Sequence, residues 1–351
     1  MLHYLFNLIL SMTAPRQTRP NKVDVVYLWV DGSDQAWQAK RQRAYANWLE
    51  RHPDELAIYG NNPGRYRDNG ELRFNLRSIE KFFPNHGHIY IVTDGQTPSW
   101  LRPSKYLTLI DHLDLLPQPS AGVFDSGHIE SYLHHIPGLS EKFFYLNDDV
   151  FFGTMVDVDW WFGTQLKVFA EASTVAQTSV TESGTALVNA SIQSRDWLLQ
   201  QFPSYLHDPR VYSHAPRPML KSAMLELEAL APQLFKQVRS TTFRSWSVPP
   251  IVPDLVPRWM VQAGYAQQRT LNPLHISTGT PQAQRQFELL VEKFGHIPFF
   301  CINDTSDESL DDDPQLLRIT NTLEKLLPEA SSFEWAHESA NRDVLDAQQQ
   351  A

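Results

Sequence analysis

Cysteine is almost absent from this sequence. Cys301 is the single cysteine among 351 residues, so an internal disulfide framework and a zinc site built from several cysteines are both excluded. Such sparse use of cysteine fits a reducing compartment. We therefore expect the protein to be cytoplasmic.

Positive charge is also scarce. The chain carries 30 Lys and Arg against 40 Asp and Glu, a formal net charge of -10, and it contains no basic run. Non-specific binding to nucleic acid depends on a positive surface, so no nucleic-acid partner is expected. The net charge does not exclude a small anionic substrate held in a local pocket.

The apolar N-terminal segment MLHYLFNLILSM is too short to cross a bilayer, which takes about 20 residues. It also lacks the basic region and the small-residue cleavage site of a signal peptide. We interpret it as an ordinary terminal segment. The alternative is a peripheral helix that contacts the inner face of the membrane, which would suit a capsule-assembly association.

Strand and helix patterns alternate through residues 23–153. Apolar, β-branched and aromatic stretches predict strands at residues 23–30, 88–93, 106–110 and 143–146, and helical spacing predicts helices at residues 35–50, 69–83 and 126–136. Such alternation indicates an α/β fold whose mostly parallel sheet is flanked by helices. Asn69 is the predicted N-cap of the second helix.

The pattern loosens after residue 153. Strands are predicted at residues 167–170, 185–188 and 299–302, and helices at residues 192–202, 219–235 and 258–266 and from Leu316 onward. The predicted division is an N-terminal segment and linker (1–22), an α/β core (23–153), a variable insert or acceptor region (154–211), a helical C-terminal part that completes the site (212–328) and a polar tail (329–351).

Acidic residues follow the ends of the predicted strands. The carboxyl ends of parallel strands share one edge, where ligands of open α/β sheets bind. Adjacent carboxylates are costly without a cation, and Mg²⁺ or Mn²⁺ takes protein carboxylates together with phosphate oxygens. An acidic turn that only caps the next segment is the alternative. The residues are Asp31, Asp94, Asp148, Asp149 and Asp304.

Cationic side chains accompany these acids. Phosphoryl transfer needs carboxylates for a metal, arginines that neutralise charge, and a base such as histidine. Arg73 and Arg77 share one predicted helix face, and Arg239 and His214 follow later in the chain. Each of these residues alone is more often structural, but together with the acids they favour a site for an anionic ligand.

Several long motifs resemble the Stealth family. They are VDVVYLWVDGSD, RDNGELRFNLRSIEKFFP with IYIVTDGQTPSWL, HIESYLHHIPGLSEKFFYLNDDVFFG and FFCINDT, in this order. That family comprises bacterial capsular and exopolysaccharide hexose-1-phosphate transferases and the animal lysosomal-enzyme N-acetylglucosamine-1-phosphotransferase. The resemblance implies a glycosyltransferase-A-like core that binds a UDP-sugar donor with the help of Mg²⁺ or Mn²⁺.

The resemblance also implies roles for individual residues. Asp149 would be the closer metal ligand, His214 the base and Arg239 a cation for the phosphoryl oxygens. The implied metal ligands are Asp148, Asp149, Asn303 and Asp304. The implied catalytic residues are His214, Arg239, Asp149 and Asp304. The implied substrate-binding residues are Asp31, Gly32, Asp34, Asn69, Arg73, Arg77, Asp94, Glu130 and Asn147.

The reaction that the resemblance implies is a phosphotransfer. A hydroxyl of a growing capsular or extracellular polysaccharide would attack the phosphorus attached to the sugar, most simply in UDP-N-acetylglucosamine or a related UDP-hexosamine, and UMP would leave. A conventional metal-dependent glycosyltransferase that releases UDP is the alternative enzyme. A non-catalytic carbohydrate-binding protein is the alternative of another class.

Overall fold

The computed structural model describes residues 22–117, 122–271, 273–305 and 313–335. The predicted N-terminal segment, apart from Lys22, and residues 336–351 of the predicted tail lie outside this description. Among the described residues, no helix is both long and apolar enough to cross a membrane.

Strands and helices alternate as predicted in the first half of the chain, and the second half contains more strands and helices than predicted. In the described part of the chain the strands are β1 (Asp24–Leu28), β2 (Ile89–Thr93), β3 (Leu107–Asp111), β4 (Lys142–Asn147), β5 (Val150–Phe152), β6 (Leu166–Thr174), β7 (Arg210–Tyr212), β8 (Arg217–Leu220), β9 (Ala266–Thr270), β10 (Leu274–Ser277) and β11 (Phe299–Asn303). The α-helices are α1 (Gln35–Leu49), α2 (Glu71–Phe82), α3 (His112–Leu115), α4 (Ser126–Glu130), α5 (Val158–Phe162), α6 (Ala186–Gln201), α7 (Lys221–Leu230), α8 (Pro232–Val238), α9 (Leu255–Gln262), α10 (Ala283–Lys293) and α11 (Pro314–Leu326).

A five-stranded sheet forms the centre of the fold, in the order β3-β2-β1-β4-β8. The first four strands run parallel and β8 pairs antiparallel with β4. The strands β1 and β4 are buried along almost their whole length, which is typical of parallel strands covered on both faces. This topology confirms the predicted mostly parallel α/β fold.

Two three-stranded sheets extend this core, with the orders β10-β11-β5 and β7-β6-β9. The strand β5 follows β4 after a two-residue turn and pairs antiparallel with β11. Phe151 and Phe300 stack face to face at a centroid distance of 5.0 Å, and burying side chains of this size stabilises the fold by about 1.5–3 kcal/mol each. The pairing brings the end of β11 to the end of β4.

Helix α2 fixes the turn between β4 and β5. Its apolar stripe, which includes Leu72 and Leu76, is fully buried. Asn75 lies on the same helix and donates its amide to Asp148 O at 2.9 Å and to Val150 O at 2.7 Å, while its own oxygen accepts from Tyr27 at 2.8 Å. One buried side chain therefore ties α2, β1 and the turn together.

Several predicted element bounds were wrong for identifiable reasons. Helix α2 begins at Glu71, and its N-cap is Gly70 with a φ of 85° rather than Asn69. The strand predicted at residues 185–188 is the start of α6, where Thr185 caps the helix by accepting from Val188 N. The predicted helix at 219–235 is divided at Pro232, which has no N–H to continue it.

The end of the chain also differs from its prediction. Residues 266–270, which include the end of a predicted helix, form strand β9. Residues 331–335, predicted as part of a polar tail, are packed: Phe333 is 2% exposed and Glu334 is 5% exposed. A buried carboxylate needs cationic or hydrogen-bonding partners, and the partners of Glu334 come from α2, as described below.

Candidate active site

The acidic turn Asp148-Asp149 stands at the carboxyl end of β4. The backbone of Ile302 in β11 donates to Asp149 O at 3.0 Å, so the β4 end and the β11 end meet there. Asn75 holds the other side of the turn through Asp148 O. Two segments far apart in sequence thus share one edge, as predicted.

Asp149 is paired with a histidine and a thiol. His214 Nε2 lies 3.1 Å from Asp149 Oδ1, and Cys301 Sγ donates to Asp149 Oδ2 at 3.4 Å. Burial alone would raise the pKa of Asp149, but the charge and hydrogen bond of His214 and the bond from Cys301 lower it instead. Asp149 is therefore an ionised carboxylate whose two oxygens both have protein partners.

Asp148 has a different environment. Its pKa is raised well above the usual range, first by burial and then by the neighbouring charges of Asp149, Glu71 and Asp68. Burial and Asp68 raise the pKa of Glu71 to about 8, and burial also raises the pKa of Asp68. Among the described residues, no cationic side chain forms an ion pair with Asp148. These four carboxylates form the acidic cluster: Asp68, Glu71, Asp148 and Asp149.

Asp304 joins the acidic cluster through Asn69. Arg67 donates to Asp304 Oδ2 at 2.6 Å, and Asn69 Nδ2 lies 3.4 Å from the same oxygen. The Asn69 amide also donates to Glu71 at 2.8 Å. Thr278 in the turn after β10 contacts the other oxygen of Asp304 at 3.4 Å. The Asp304 carboxylate is only 5% exposed.

A cavity opens beside this edge. It has a volume of about 240 Å³ and lies between residues 67–69 and helix α11. Arg67, Asp68 and Asn69 line one side, and Leu316, Leu317 and Thr320 line the other. A charged wall facing a partly apolar wall suits a ligand that carries both an anionic group and a sugar ring.

The end of β1 is a tightly built turn. A Cβ atom at Gly32 would lie 2.1 Å from Tyr66 O, and Gly32 N donates to that same oxygen at 2.8 Å, so only glycine fits. Asp31 accepts from the backbone and hydroxyl of Ser33. Asp34 caps α1 by accepting from Ala36 N and Trp37 N.

The end of β2 carries a buried carboxylate. Asp94 Oδ1 lies 2.5 Å from Lys40 Nζ and 3.6 Å from His112 Nδ1. Asp94 Oδ2 is buried without a hydrogen-bond partner in the part of the chain that the structure describes. Burial lowers the pKa of His112 to about 4, although Asp94 opposes the shift. The ring is therefore neutral at neutral pH.

Arg73 and Arg77 have structural partners. Arg73 Nε lies 2.5 Å from Glu334, and Arg77 binds both oxygens of Glu334 at 2.8 and 2.9 Å. Arg77 also donates to Leu327 O at 2.7 Å. The two arginines therefore anchor the segment 331–335 on α2.

Arg239 and Glu130 also have partners outside the acidic cluster. Arg239 forms an ion pair with Glu228, donates to Ser131 O at 2.7 Å and stacks over the Tyr132 ring at 3.9 Å. No contact among the described residues joins Arg239 to His214. Glu130 is buried and accepts from Tyr145 OH at 2.9 Å.

Sequence reasoning missed two cations at the β4 and β11 ends. Arg217, three residues after His214, donates to Asn147 Oδ1 at 3.0 Å and lies over the Tyr145 ring. Arg67, in the motif that resembles the family, pairs with Asp304. Its place in that motif, two residues before the predicted helix, was the available signal.

The donor atoms at this edge fit a hard divalent cation. Burial, and next the charge of Asp149, raise the pKa of the Cys301 thiol, and ligand atoms of Asp149, His214 and Cys301 all lie within 4.8 Å of one another. Mg²⁺ and Mn²⁺ prefer carboxylate and carbonyl oxygens. The carboxylate oxygens at this edge belong to Asp68, Glu71, Asp148, Asp149 and Asp304, and Asn303 directly follows Ile302, whose N–H donates to Asp149 O.

Comparison with known families gives three matches along the chain. They are Stealth protein CR1, conserved region 1, at residues 21–47; Stealth protein CR2, conserved region 2, at residues 65–169; and Stealth protein CR4, conserved region 4, at residues 296–344. The first covers the Gly32 turn, the second covers the acidic cluster and the third covers Asp304.

Named relatives are similar over most of this chain. A capsular polysaccharide phosphotransferase of Actinobacillus pleuropneumoniae is 30% identical over 284 residues, 77% of this chain and 74% of the relative. An exopolysaccharide phosphotransferase of Streptomyces coelicolor is 33% identical over 316 residues, 89% of this chain and 52% of the relative. The exopolysaccharide phosphotransferase CpsY of Mycobacterium tuberculosis is 29% identical over 89% of this chain and 58% of its own length. The chain thus spans about half the length of these two exopolysaccharide relatives.

Two solved structures show distant overall similarity. The galactosyltransferase LgtC, in complex with donor and acceptor sugar analogs, has a TM-score of 0.37 and 10% identity over 88% of this chain and 98% of its own. The glycosyltransferase GlyE of Streptococcus pneumoniae has a TM-score of 0.38 and 9% identity over 88% of this chain and 62% of its own.

Proposed function

The chain belongs to the Stealth family, and from this premise we propose that it transfers a sugar 1-phosphate from a UDP-sugar to a hydroxyl of a capsular or extracellular polysaccharide. The observation that carries the proposal is the His214–Asp149 pair beside the acidic cluster. A base and a set of unneutralised carboxylates in one place are the two parts that a metal-assisted phosphotransferase requires.

His214 is the proposed base. Its Nε2–H donates to Asp149 Oδ1, which leaves the Nδ1 lone pair to accept the proton of the acceptor hydroxyl. Because the pKa of Asp149 is lowered, this carboxylate stays ionised and stabilises the imidazolium that forms. The pair thereby orients the ring and favours its protonated state during the reaction.

The proposed transfer breaks one bond and forms one bond at phosphorus. The acceptor oxygen loses its proton to His214 and forms a bond to the phosphorus attached to the sugar, while the bond from that phosphorus to the bridging oxygen breaks. UMP leaves with this oxygen, and the bond between sugar C1 and its own oxygen survives. The product is a phosphodiester, in which the sugar keeps its anomeric configuration.

The acidic cluster is the proposed metal site. Asp148 is the first ligand in this proposal because no cationic side chain among the described residues pairs with it, whereas Asp149 pairs with His214; this is a change from the sequence-based preference for Asp149. Asn303 and Asp304 complete the oxygen set. Mg²⁺ or Mn²⁺ held there would neutralise charge on the donor diphosphate. The raised pKa values of Asp148 and Glu71 support this placement, since a cation would remove their repulsion.

Arg217 takes the role first predicted for Arg239. It lies at the end of β4 through its bond to Asn147, whereas Arg239 is engaged by Glu228. We therefore propose Arg217 as the cation that stabilises developing charge on the phosphoryl oxygens. The turns after β1 and β2, with Gly32 and Asp94, are the proposed nucleotide contacts.

The released nucleotide tests the proposed function directly. Purified protein is incubated with a panel of UDP-sugars, Mg²⁺ and acceptor oligosaccharides, and the product nucleotide is identified by chromatography. We expect UMP. Release of UDP would instead establish conventional glycosyl transfer, and binding of sugars without any turnover would establish a carbohydrate-binding protein.

A matched pair of variants assigns the turnover to this site. Asp148→Asn should abolish nucleotide release, while Asp159→Asn, which removes an exposed acid on α5, should retain it. Loss of turnover in EDTA and its recovery with Mg²⁺ or Mn²⁺ are expected as well. The sugar, the acceptor and the cytoplasmic location stay predictions that this assay and cell fractionation would test.

A further inference from the structure

Two guanidinium groups from distant parts of the chain lie close enough to repel one another, and one carboxylate, Asp125, interacts with both. Arg65 belongs to the short 3₁₀ helix before α2, and Arg244 follows α8. The Nε atoms of both residues are buried without a hydrogen-bond partner among the described residues. Burial, and next the charge of Arg244, lower the pKa of Arg65 to about 10. Like charges held together in this way destabilise one another unless an anion joins them.

The nearest carboxylate already has other partners. Asp125 Oδ1 lies 3.8 Å from Arg244 Nε, beyond hydrogen-bonding distance, and accepts from Gly127 N at 3.1 Å. Its other oxygen accepts from Thr241 at 2.7 Å. One carboxylate therefore faces two guanidinium groups, and neither Nε donates to it. One positive charge is left uncompensated in a chain whose formal net charge is -10.

The surrounding loops hold the two arginines in place. Arg244 Nη2 donates to Ser126 Oγ at 2.8 Å, and Arg244 O accepts from Ala57 N at 2.9 Å. Phe124 N donates to Thr242 O at 2.8 Å, and Tyr66 OH donates to Phe124 O at 3.0 Å. The Phe124 and Phe243 rings stack at 5.2 Å. Because these loops are locked together, the arginines cannot relieve their repulsion by moving apart, and the arrangement is preorganised for a ligand.

We propose that Arg65, Arg244 and Ser126 bind a phosphate-type oxyanion. Guanidinium groups donate in a planar fork that matches phosphate oxygens, and a dianion supplies the negative charge that the pair lacks. Arg65 and Arg67 flank Tyr66, so their Cα atoms lie within about 7 Å. Arg67 in turn binds Asp304 at the end of β11. That the anion belongs to a substrate rests on the proposed function, whereas binding itself does not.

Inorganic phosphate is the probe for the site. Unfolding temperature and calorimetric affinity are measured for the full chain in EDTA, in phosphate and in chloride buffers of equal ionic strength, so that no metal and no turnover is involved. Phosphate should stabilise the unmodified protein. Arg65→Gln and Arg244→Gln should each weaken phosphate binding at least about tenfold, and Arg65→Lys should keep part of the affinity.

The chloride measurement separates anion binding from a purely structural role. Without an anion, Arg65→Gln removes one of two repelling charges and should be as stable as the unmodified protein or more stable. Arg51→Gln, on the exposed surface after α1, is the control and should leave phosphate binding unchanged. Absence of phosphate stabilisation, equal binding by all variants, or unfolding of Arg65→Gln in chloride would each overturn the proposal.

Two further ligands identify the source of the anion. If Arg65→Gln weakens UMP binding in EDTA, the site takes the donor phosphate. If it weakens binding of a hexose 1-phosphate instead, the site takes a phosphate of the acceptor or product. Weakening of inorganic phosphate binding alone assigns a free-phosphate site. A failure of nucleotide release in the transfer assay leaves all three results interpretable, because none depends on turnover.

Discussion

Two of the clusters that pair a histidine with a carboxylate in the described part of the chain differ in charge balance. The Glu228 cluster comprises Glu228, His134, His135 and Arg239. Glu228 lies 2.5 Å from His134 Nε2 and 2.8 Å from His135 Nε2, and it also pairs with Arg239. Burial alone would raise the pKa of Glu228, but hydrogen bonds from Arg239 and from both histidines lower it to about 2. This carboxylate is fully satisfied by the protein.

The acidic cluster has the opposite balance. Of its four carboxylates, only Asp149 pairs with His214 among the described residues, and burial together with neighbouring acidic charges raises the pKa values of Asp148 and Glu71. Neighbouring charges therefore cost stability in the folded state. The comparison indicates which of the two similar arrangements is a ligand-binding site. The balanced charges of the Glu228 cluster stabilise the fold, whereas the unbalanced charges of the acidic cluster favour a ligand of opposite charge.

The largest expected effect is on the transfer reaction, and it distinguishes His214 from the histidines of the Glu228 cluster. His214→Ala should reduce transfer by about 10²–10⁴-fold, because it removes the base, and should change the free energy of unfolding by less than about 1 kcal/mol. Initial rates of nucleotide release and urea unfolding measure the two quantities. Normal turnover of the variant would remove His214 from the mechanism.

The next effect is on stability. Glu228→Ala should lower the free energy of unfolding by about 2 kcal/mol, since it leaves Arg239 and a buried histidine without their carboxylate. Glu226→Ala, two residues earlier on α7, removes a side chain whose hydrogen-bond partner among the described residues is Tyr265 OH, and it is the control. If both variants were equally stable, the Glu228 cluster would not be the structural element described above.

A third prediction concerns pH. Burial lowers the pKa of His134 to about 4, against about 6.5 in the unfolded chain. The unfolded state therefore binds the extra proton first, and stability falls as pH decreases from about 6.5 to about 4. His134→Gln keeps an N–H donor toward Glu228 but does not titrate. Between neutral pH and pH near 4.5, its free energy of unfolding should therefore decrease by about 2 kcal/mol less than that of the unmodified protein. Parallel pH curves would contradict this assignment.

The smallest effect is the most diagnostic for the acidic cluster. In EDTA, Glu71→Gln should stabilise the protein by up to about 1 kcal/mol, because it removes a repelling buried group while keeping a side chain that can bond to Asn69. Adding Mg²⁺ should stabilise the unmodified protein and have less effect on the variant. Destabilisation in EDTA would show that the acids are already balanced.

The first half of the fold was predictable because its signals are local. The strands β1, β2 and β4 are continuous apolar runs followed by acids, and α2 repeats Leu72, Leu76 and Ile79 at helical spacing. The edge to which Asp149 and Asp304 come was predictable from parallel topology. The His214–Asp149 pair does not follow from that rule, because it depends on the antiparallel pairing of β8 with β4, which brings the start of β8 to the end of β4.

The remaining features depend on contacts between distant segments. The strand β9 contains Gln267, Gln268 and Arg269, and no apolar pattern marks it; its pairing with β6 makes it a strand. Arg73 and Arg77 looked like anion-binding residues, but Glu334 lies beside them, more than 250 residues later. Arg65 and Arg244 carry no sequence signal, because their repulsion arises only when three loops meet.

The antiparallel pairing of β5 with β11 also sets the order of assembly. Cys301 reaches Asp149 across 152 positions of chain, so the ribosome must finish β11 before the two halves of this edge can meet. A nascent chain that has already folded β1 to β4 therefore holds Asp149 without its thiol partner until β11 has been synthesised.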